Sequence, residues 1–360
     1  MKVLIDARPL TIPAPGGVTR LTRSLLQALI EAPAETEYLM GTTGQRQLPL
    51  GLSLPTNARR LHLPWPNKLV SSLTTFGLRS FEQFFPQEKP GVLFFPNNGH
   101  VGRPRLPYGL LVHDLSFLAE PKWFNWRGQV WHKIVHAKRL MQEATRLFAV
   151  SEWTKFALQL HLNILAERID VLEIPRQSEL SLPGALPTIV KNKRYLLCLG
   201  GQDRRKNVGC VITAIKQLHT SLTYADLHLV IVGGYREPLS DPRFIVLPRV
   251  DDATLSALYQ YAQTFLYPSW YEGLGLPLHE AAAFGVPSIA SSTSAMPETA
   301  PSGTIFAPPS KPQAWALAID HLLTRSAIHS ETSFLVKADS IQTSDWQRAV
   351  TPIRQFLTQR

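Results

Sequence analysis

Short apolar runs and longer amphipathic stretches alternate along the chain. The runs VLIDA (3–7), VLFFP (92–96), GLLVHD (109–114) and RLFAVS (146–151) are rich in β-branched or aromatic residues and bounded by Gly, Pro or polar residues, which predicts strands. Between them, VTRLTRSLLQALIEA (18–32) and GQVWHKIVHAKRLMQEA (128–144) return apolar residues at spacings of three and four, which predicts helices. Strands that alternate with helices form βαβ units around a parallel sheet. The same grammar restarts later: YLLCLG (195–200), LHLVIVGG (227–234), FIVLP (244–248), TFLYP (264–268) and VPSIAS (286–291) alternate with helical patterns near 207–219, 252–262, 277–284 and 312–325. A last segment, SDWQRAVTPIRQFLTQR (344–360), opens with a Ser-Asp cap and reads as a helix that Pro352 should kink or end halfway.

Between the two series lies PRQSELSLPGALPTIVKNK (175–193), which is rich in Pro and polar residues and has no period. The expected organisation is an α/β protein with two Rossmann-like, doubly wound parallel-sheet domains facing a crevice. The first spans 1–174, a linker 175–193 and the second 194–342; a helical segment over 343–360 packs back on the N-terminal domain. The length of 360 residues, 44% of them hydrophobic, suits two cores, because single cores rarely grow past about 250 to 300 residues.

Composition narrows the classes further. No segment offers the roughly 20 uninterrupted apolar residues that cross a bilayer, and MKVLIDARPL breaks its apolar run at Asp6, so neither a membrane span nor a secretion signal is expected. The two cysteines, Cys198 and Cys210, fall in segments that read as buried strand or helix and make no disulfide framework, which favours a cytoplasmic location. The net charge of +10 is uneven: 21 of the 37 Lys and Arg and 14 of the 27 Asp and Glu lie within residues 1–180, giving +7 there and +3 beyond. Such a surface attracts polyanions of any kind, whether nucleic acid, anionic lipid or phosphorylated ligand. A nucleic-acid partner is not expected, since the basic residues are dispersed and no zinc spacing or RNA-binding signature occurs. A nicotinamide-dependent oxidoreductase is disfavoured because DARPLTIPAPGG follows the first strand where GxGxxG would stand.

Ligands of open α/β sheets collect beyond the carboxyl ends of strands, among loops and helix N-termini. Gly16 and Gly17 sit just ahead of the helix at Val18, where unpaired amides and the helix dipole suit phosphate, although an ordinary tight turn has the same sequence. GGQDRRKN (200–207) repeats the arrangement and adds Arg204, Arg205 and Lys206, cations suited to a diphosphate; a solvated basic turn is the plainer reading. In YPSWYEGLGLPLHEAAAFGVP (267–287), Pro277 suits the first turn of a helix that Gly285 closes. That places Glu272 in a loop over the crevice, with an exposed side chain, and Glu280 about one turn into the helix. A carboxylate accepts hydrogen bonds only, and two of them at this separation suit the hydroxyls of two sugar rings. A nucleotide-sugar has two such rings with a diphosphate between them.

The Glu272 to Glu280 spacing in YEGLGLPLHEAAAFGVP, followed by SSTSAMPETA, resembles the signature of the retaining glycosyltransferases of family 4, which have the GT-B fold. GGVTRLTRSLLQAL (16–29), VHDLSFLAEPKWF (112–124), AVSEWTKFAL (149–158), YLLCLGGQDRRKNV (195–208) and VDDATLSALYQYAQTFLYPSWYEG (250–273) resemble further blocks of that family in the same order. Together they cover roughly two thirds of the chain.

The resemblance, which extends to bacterial mannosyltransferase-type group 1 glycosyltransferases, implies roles position by position. Glu272 is similar to the residue that contacts the donor sugar's hydroxyls, and Glu280 to the one that holds the ribose. Lys206, with Arg205 or Arg204 nearby, matches the cation that neutralises the departing diphosphate. Gly16 and Gly17 match a loop that approaches the donor phosphates, and Gly273, Leu274, Gly275 and Leu276 lie where the family offers backbone amides to the donor. His113 matches a histidine near the reacting sugar; without the resemblance, a satisfied core histidine is the simpler account. The implied reaction transfers a sugar from a nucleoside diphosphate to a hydroxyl with retention, by a front-face route that needs no protein nucleophile. The chain has no Asp-x-Asp pair, and no metal or other cofactor is expected. GDP-mannose is the expected donor, with UDP-sugars, other nucleotide-sugars, an inactive relative, or a phosphorylase or epimerase of the same fold as alternatives. The expected acceptor is a glycan or a polyprenyl-diphosphate-linked sugar in cell-surface polysaccharide assembly. NKLVSSLTTFGLRSFEQFF (67–85) has an apolar stripe that by itself reads more simply as a helix packed into the core; the resemblance adds transient contact with the inner face of the cytoplasmic membrane as the other reading. Two departures from the family stand out. Gly201 occupies a position where relatives carry arginine, and VLEIPRQSEL (171–180) lacks their Pro-Asn-Gly run.

Overall fold

The computed structural model describes residues 1–12, 16–31, 36–47, 49–175, 181–328 and 343–359. The chain divides into two compact units, Met1–Pro175 with Ile341–Arg360 and Arg176–Ser340.

The first unit opens with β1 (Lys2–Asp6), α1 (Gly17–Glu31), β2 (Glu37–Thr43), β3 (Ala58–Leu63) and α2 (Asn67–Thr75). It continues with β4 (Val92–Phe95), β5 (Tyr108–Val112), α3 (Ser116–Ala119), α4 (Trp126–Ile134), α5 (Ala137–Glu143), β6 (Arg146–Ala149), α6 (Glu152–Leu162) and β7 (Ile169–Val171). Among the described residues these strands form one parallel sheet in the order β3-β2-β1-β4-β5-β6-β7, with Val3 facing Tyr38 on one side and Val92 on the other. The central strands β1, β4 and β5 are buried on both faces, which is why they read as near-continuous apolar runs. The edge strand β3, ARRLHL, carries charge where a sheet needs protection from further pairing, and Arg59 reaches Glu37 of β2 at 2.7 Å. Its polarity hides it from the apolar pattern, and β7 is too short to stand out.

One predicted helix and one predicted apolar stripe differ from the structure. The stretch 128–144 breaks between α4 and α5 at His136, which has left-handed backbone (φ 51°). Val135 and Ala137 are both buried with exposed His136 between them, an alternation that one continuous helix does not provide. The stretch 67–85 is helical only to Thr75; Gly77 turns it at φ 68°, and Phe81 and Phe84 enter the core on a short 3-10 turn. Leu69, Phe76 and Leu78 stay exposed, so the stripe is split between core and surface.

The second unit contains β8 (Tyr195–Leu199), α7 (Val208–Leu218), β9 (His228–Val232), β10 (Phe244–Leu247), α8 (Asp252–Gln260) and β11 (Thr264–Tyr267). It ends with α9 (Leu276–Ala283), β12 (Ser288–Ser291), α10 (Met296–Thr299), β13 (Ile305–Ala307) and α11 (Pro312–Ile328). Its sheet is parallel, in the order β10-β9-β8-β11-β12-β13. Residues 181–193, read from sequence as linker, lie on this unit. Gly184 donates from its backbone to Ala253 O at 2.9 Å, Ser256 Oγ donates to Ser181 O at 2.7 Å, and Val190 is buried beside Tyr195 and Leu258. Of the stretch lacking the family's Pro-Asn-Gly run, residues 176–180 lie outside the described residues.

The chain then returns to the first unit as α12 (Thr343–Thr358). Pro352 lies inside this helix and does not end it, which removes one of the two outcomes expected from the sequence. Ala349, Val350, Ile353 and Leu357 are fully buried along one face, and this packing offsets the hydrogen bond that the proline removes. Gln347 Nε2 donates to Ala28 O of α1, and Phe356 meets Phe148 edge to face at 6.1 Å. Gly109 of β5 leaves room for this contact; a Cβ there would lie 3.1 Å from the Phe356 ring. Replacing Leu357 by Ala removes a fully buried side chain, so we expect Leu357→Ala to destabilise the first unit by about 3 kcal/mol, measured by urea unfolding.

Candidate functional site

In each sheet, the connections run outward in opposite directions from a central pair of strands. The first unit reverses between β1 and β4, and the second between β8 and β11. Loops that leave the carboxyl ends of such a pair diverge and open a binding place between them. The site residues expected in the second unit fall at its reversal point.

There β8 runs through Gly200 and Gly201 into a short turn, Arg204–Lys206, capped by Asp203, whose carboxylate accepts from Arg205 N at 2.9 Å. Asn207 ends the turn in left-handed backbone (φ 51°), and its Nδ2 donates to Pro268 O and Pro309 O. On the other side β11 ends at Tyr267, and the loop beyond it carries Glu272. The loop is fastened to the turn by Trp270 N donating to Arg205 O at 2.8 Å, and to the segment after β12 by Glu272 N donating to Ser294 Oγ at 2.9 Å.

These attachments bring one carboxylate and two cations together. Lys206 Nζ donates to Glu272 Oε1 at 2.7 Å and to Tyr267 OH at 2.8 Å, lying over the Tyr267 ring at 4.7 Å. Arg205 Nη1 lies 3.5 Å from Glu272 Oε2 and donates to Tyr271 O at 3.2 Å. The sequence reading left the Glu272 side chain exposed; instead Glu272 is buried, at 7% exposure, because the cations of the turn draw its carboxylate inward. Burial by itself raises its pKa, but Lys206 and Arg205 outweigh burial and hold it at about 2, against an ordinary 4.5. The group is therefore an ionised acceptor throughout the neutral range. The Tyr267 hydroxyl is pushed well up by burial and by Glu272, so it stays protonated.

Gly275 begins α9 in left-handed backbone (φ 76°), and Gly273 and Leu274 are buried before it, with Leu276 half-buried as the first residue of the helix. Glu280, in the second turn, is buried and accepts from Tyr259 OH at 3.0 Å. Arg204 is exposed at the mouth of the turn. The departure at Gly201 has a steric cause: a Cβ there would fall 2.1 Å from Gly234 O, so no side chain fits and the cations come from residues 204–206.

In the first unit, Gly16 is exposed and Gly17 is the first residue of α1. His113 follows β5 and is half-buried, and its Nε2 lies 2.9 Å from Pro96 O. A carbonyl only accepts, so Nε2 carries the proton and Nδ1 is left as an acceptor. Burial lowers the His113 pKa despite Pro96 and Asp114, and the ring is neutral.

At the β1/β4 reversal the structure adds a group that the sequence reading missed. A polar cavity of about 480 Å³ is lined by Asp6, Arg8, Arg46, Asn67, Asn97 and His100 among others. Asp6 accepts two bonds from the Arg8 guanidinium, at 2.8 and 2.7 Å, and Arg8 also donates to His100 O and stacks over Phe81 at 4.7 Å. Asn67 accepts from Thr43 Oγ1 at 2.7 Å. The pairing of Asp6 with a residue two positions on leaves little trace in a sequence. Asn207 and Ser294, which hold the Glu272 loop, were likewise missed, and the signal for Asn207 was its place at the end of the basic turn.

Two parallel-sheet α/β units, each with a polar site at its reversal point, define the class, which is the GT-B fold. The chain resembles sucrose-phosphate synthase from Thermosynechococcus elongatus (TM-score 0.68, 19% identity, 99% of this chain and 97% of that chain). It also resembles the Anabaena protein HepE, solved with UDP-glucose (TM-score 0.61, 15% identity, 100% of this chain and 98% of that chain). Residues 193–325, within the second unit, match the family model of group 1 glycosyl transferases. O-antigen chain mannosyltransferase B of Escherichia coli is 28% identical over 219 residues, 55% of this chain and 56% of that protein. The chain spans about half the length of the curated relatives it matches. Among the described residues no helix is long and apolar enough to cross a membrane.

Removing one partner of a buried ion pair strands the others, so Glu272→Gln is expected to destabilise the second unit by about 3 kcal/mol. Because the folded pKa is depressed, this stability is fully present above about pH 4.5 and is lost as pH falls towards about 2. Denaturant titrations at several pH values should therefore converge for the two proteins in acid, and curves that stay parallel would exclude the ion pair as the source.

Proposed function

We propose that the chain is a retaining hexosyltransferase that moves a sugar from a nucleoside diphosphate donor to a hydroxyl of a glycan or lipid-linked saccharide. The observation that carries this reading is the buried Glu272 carboxylate held by Lys206 and Arg205 at the reversal point of the unit that matches group 1 glycosyl transferases. An ionised carboxylate is suited to accepting hydrogen bonds from the donor sugar's hydroxyls, and the adjoining cations to charge that develops on the departing diphosphate. Glu280, braced by Tyr259, is assigned to the ribose, and Gly273, Leu274, Gly275 and Leu276 offer the start of α9 to the diphosphate. In the first unit, Gly16 and Gly17 are assigned to the donor phosphates. His113 offers Nδ1 to a hydroxyl of the reacting sugar.

The reaction then proceeds on the front face. The departing diphosphate oxygen takes the proton of the incoming hydroxyl while the anomeric carbon gains oxocarbenium character, and the protein contributes positioning and charge stabilisation. Arg204, Arg205 and Lys206 supply the positive charge, so transfer is proposed to run without a metal. The polar cavity around Arg8, Asn67 and His100 is assigned to the hydroxyl-bearing end of the acceptor.

GDP-mannose is the proposed donor, supported by the similarity to O-antigen chain mannosyltransferase B. The fold neighbour HepE, solved with UDP-glucose, favours UDP-sugars as the second reading. A cytoplasmic place of action, with passing contact at the membrane's inner face, is part of the proposal and is supported by exposed Leu69, Phe76 and Leu78 beside α2.

Calorimetric titration with GDP, UDP, ADP and dTDP and their sugars, without metal, should give saturable binding of one nucleotide that weakens at least about tenfold in Glu280→Ala. Lys206→Met should lower sugar transfer by about a hundredfold or more, and a metal chelator should leave the wild-type rate unchanged. No binding of any nucleotide, or a fully active Lys206→Met enzyme, would refute the assignment.

A further inference from the structure

The first unit holds a second cavity that the proposed transfer chemistry does not use. It measures about 540 Å³, within the range of small-ligand pockets, and lies among α3, the turn after it, α4 and α5. Its apolar lining comes from Phe117, Leu118, Pro121, Phe124 and Ala137. His136, Lys138 and Arg139 line it as well. Lys138 is exposed, whereas Arg139 is paired with Glu143 at 2.6 Å. His136 takes its left-handed backbone at the break between α4 and α5, and such conformations in a bulky residue are retained where the surroundings or a function require them.

The helix beside this cavity presents large apolar side chains to solvent. Trp126 is 69% exposed, Val130 42% and Trp131 38%. Arg127 stacks over Trp126 at 5.4 Å. Trp131 meets His100 edge to face at 5.9 Å, and His100 is bonded to Thr75 at the end of α2. The exposed Phe76 follows Thr75, and Arg103 lies beside Gly77. Exposed tryptophans interleaved with arginines suit the headgroup layer of a membrane, where the ring is half in hydrocarbon and the cations meet phosphates.

We propose that this cavity binds the hydrocarbon chain of a single-chain anionic lipid, with its phosphate held at Lys138 and the α4 face resting on the membrane around it. The inference rests on the glycosyltransferase reading only for its biological sense, since a lipid-borne acceptor would be captured there. The binding itself is independent of transfer. An apolar interior selects a chain, and the exposed Lys138 at its edge selects an anionic over a neutral or cationic head.

The test uses dodecyl phosphate below its micelle concentration, titrated calorimetrically into the full chain, with dodecyl trimethylammonium and inorganic phosphate as comparisons. The expected result is saturable binding of dodecyl phosphate alone. It should be abolished in Leu118→Trp, which fills the cavity, and weakened about tenfold in Lys138→Glu, which reverses one charge near the phosphate. Absence of saturable binding, equal binding of the cationic amphiphile, or unchanged affinity in a folded Leu118→Trp would overturn the proposal. Should Leu118→Trp not fold, an unchanged affinity in Lys138→Glu, an exposed position, overturns it instead. Nucleotide binding by the wild-type chain is measured in the same series. Nucleotide binding without lipid binding defeats this inference alone, and lipid binding without nucleotide binding defeats the transfer reading.

Discussion

A carboxylate enters a protein interior at a cost of several kcal/mol unless charge and hydrogen bonds meet it there. In the second unit Glu272 is met by Lys206 at 2.7 Å and Arg205 at 3.5 Å. Those cations stand on the turn after β8 and the carboxylate on the loop after β11, so the ion pair closes the gap where the sheet's connections part. The backbone bonds from Trp270 to Arg205 and from Glu272 to Ser294 are satisfied in the same arrangement. The local structure and the charge pattern thus depend on each other.

The constraint has a chemical counterpart. Arg205 is shared between Glu272 and Asp203, each 3.5 Å away, so Lys206 and Arg205 balance the two carboxylates and the excess positive charge is that of Arg204 at the surface. A diphosphate would meet that charge first, and a sugar bearing several hydroxyls gives Glu272 new donors. The groups that would meet the ligand are already held in place by their contacts with one another. Preorganisation of this kind lowers the cost of reorganising the site as charge develops.

Much of the fold was legible because central parallel strands are apolar on both faces and their helices have a clear stripe. The pattern did not show strands β2, β3, β7 and β13. β3 carries Arg59, Arg60 and His62 because it is an edge, and α12, which the pattern did show, runs on through Pro352 because Ala349, Val350, Ile353 and Leu357 dock it. Glu272, Lys206 and Glu280 stood out through spacing, yet the burial of Glu272 did not, since a sequence shows a charge without its distant partner. The Asp6–Arg8 pair and its cavity were invisible for the same reason: Asn67, Asn97 and His100 converge only through sheet order. The steric requirement at Gly201 arises from Gly234, on a different strand end, and no local pattern encodes it.

The order in which the chain is synthesised gives α12 a further consequence. The first unit's sheet is complete by β7, but the helix that covers Phe148 and Gly109 leaves the ribosome only after all of the second unit. The second unit is in effect an insertion, free to fold while its host still exposes an apolar face. During that interval the nascent first unit is the vulnerable species, open to chaperones and to aggregation, and damage near the carboxyl end weakens the unit encoded first in the chain.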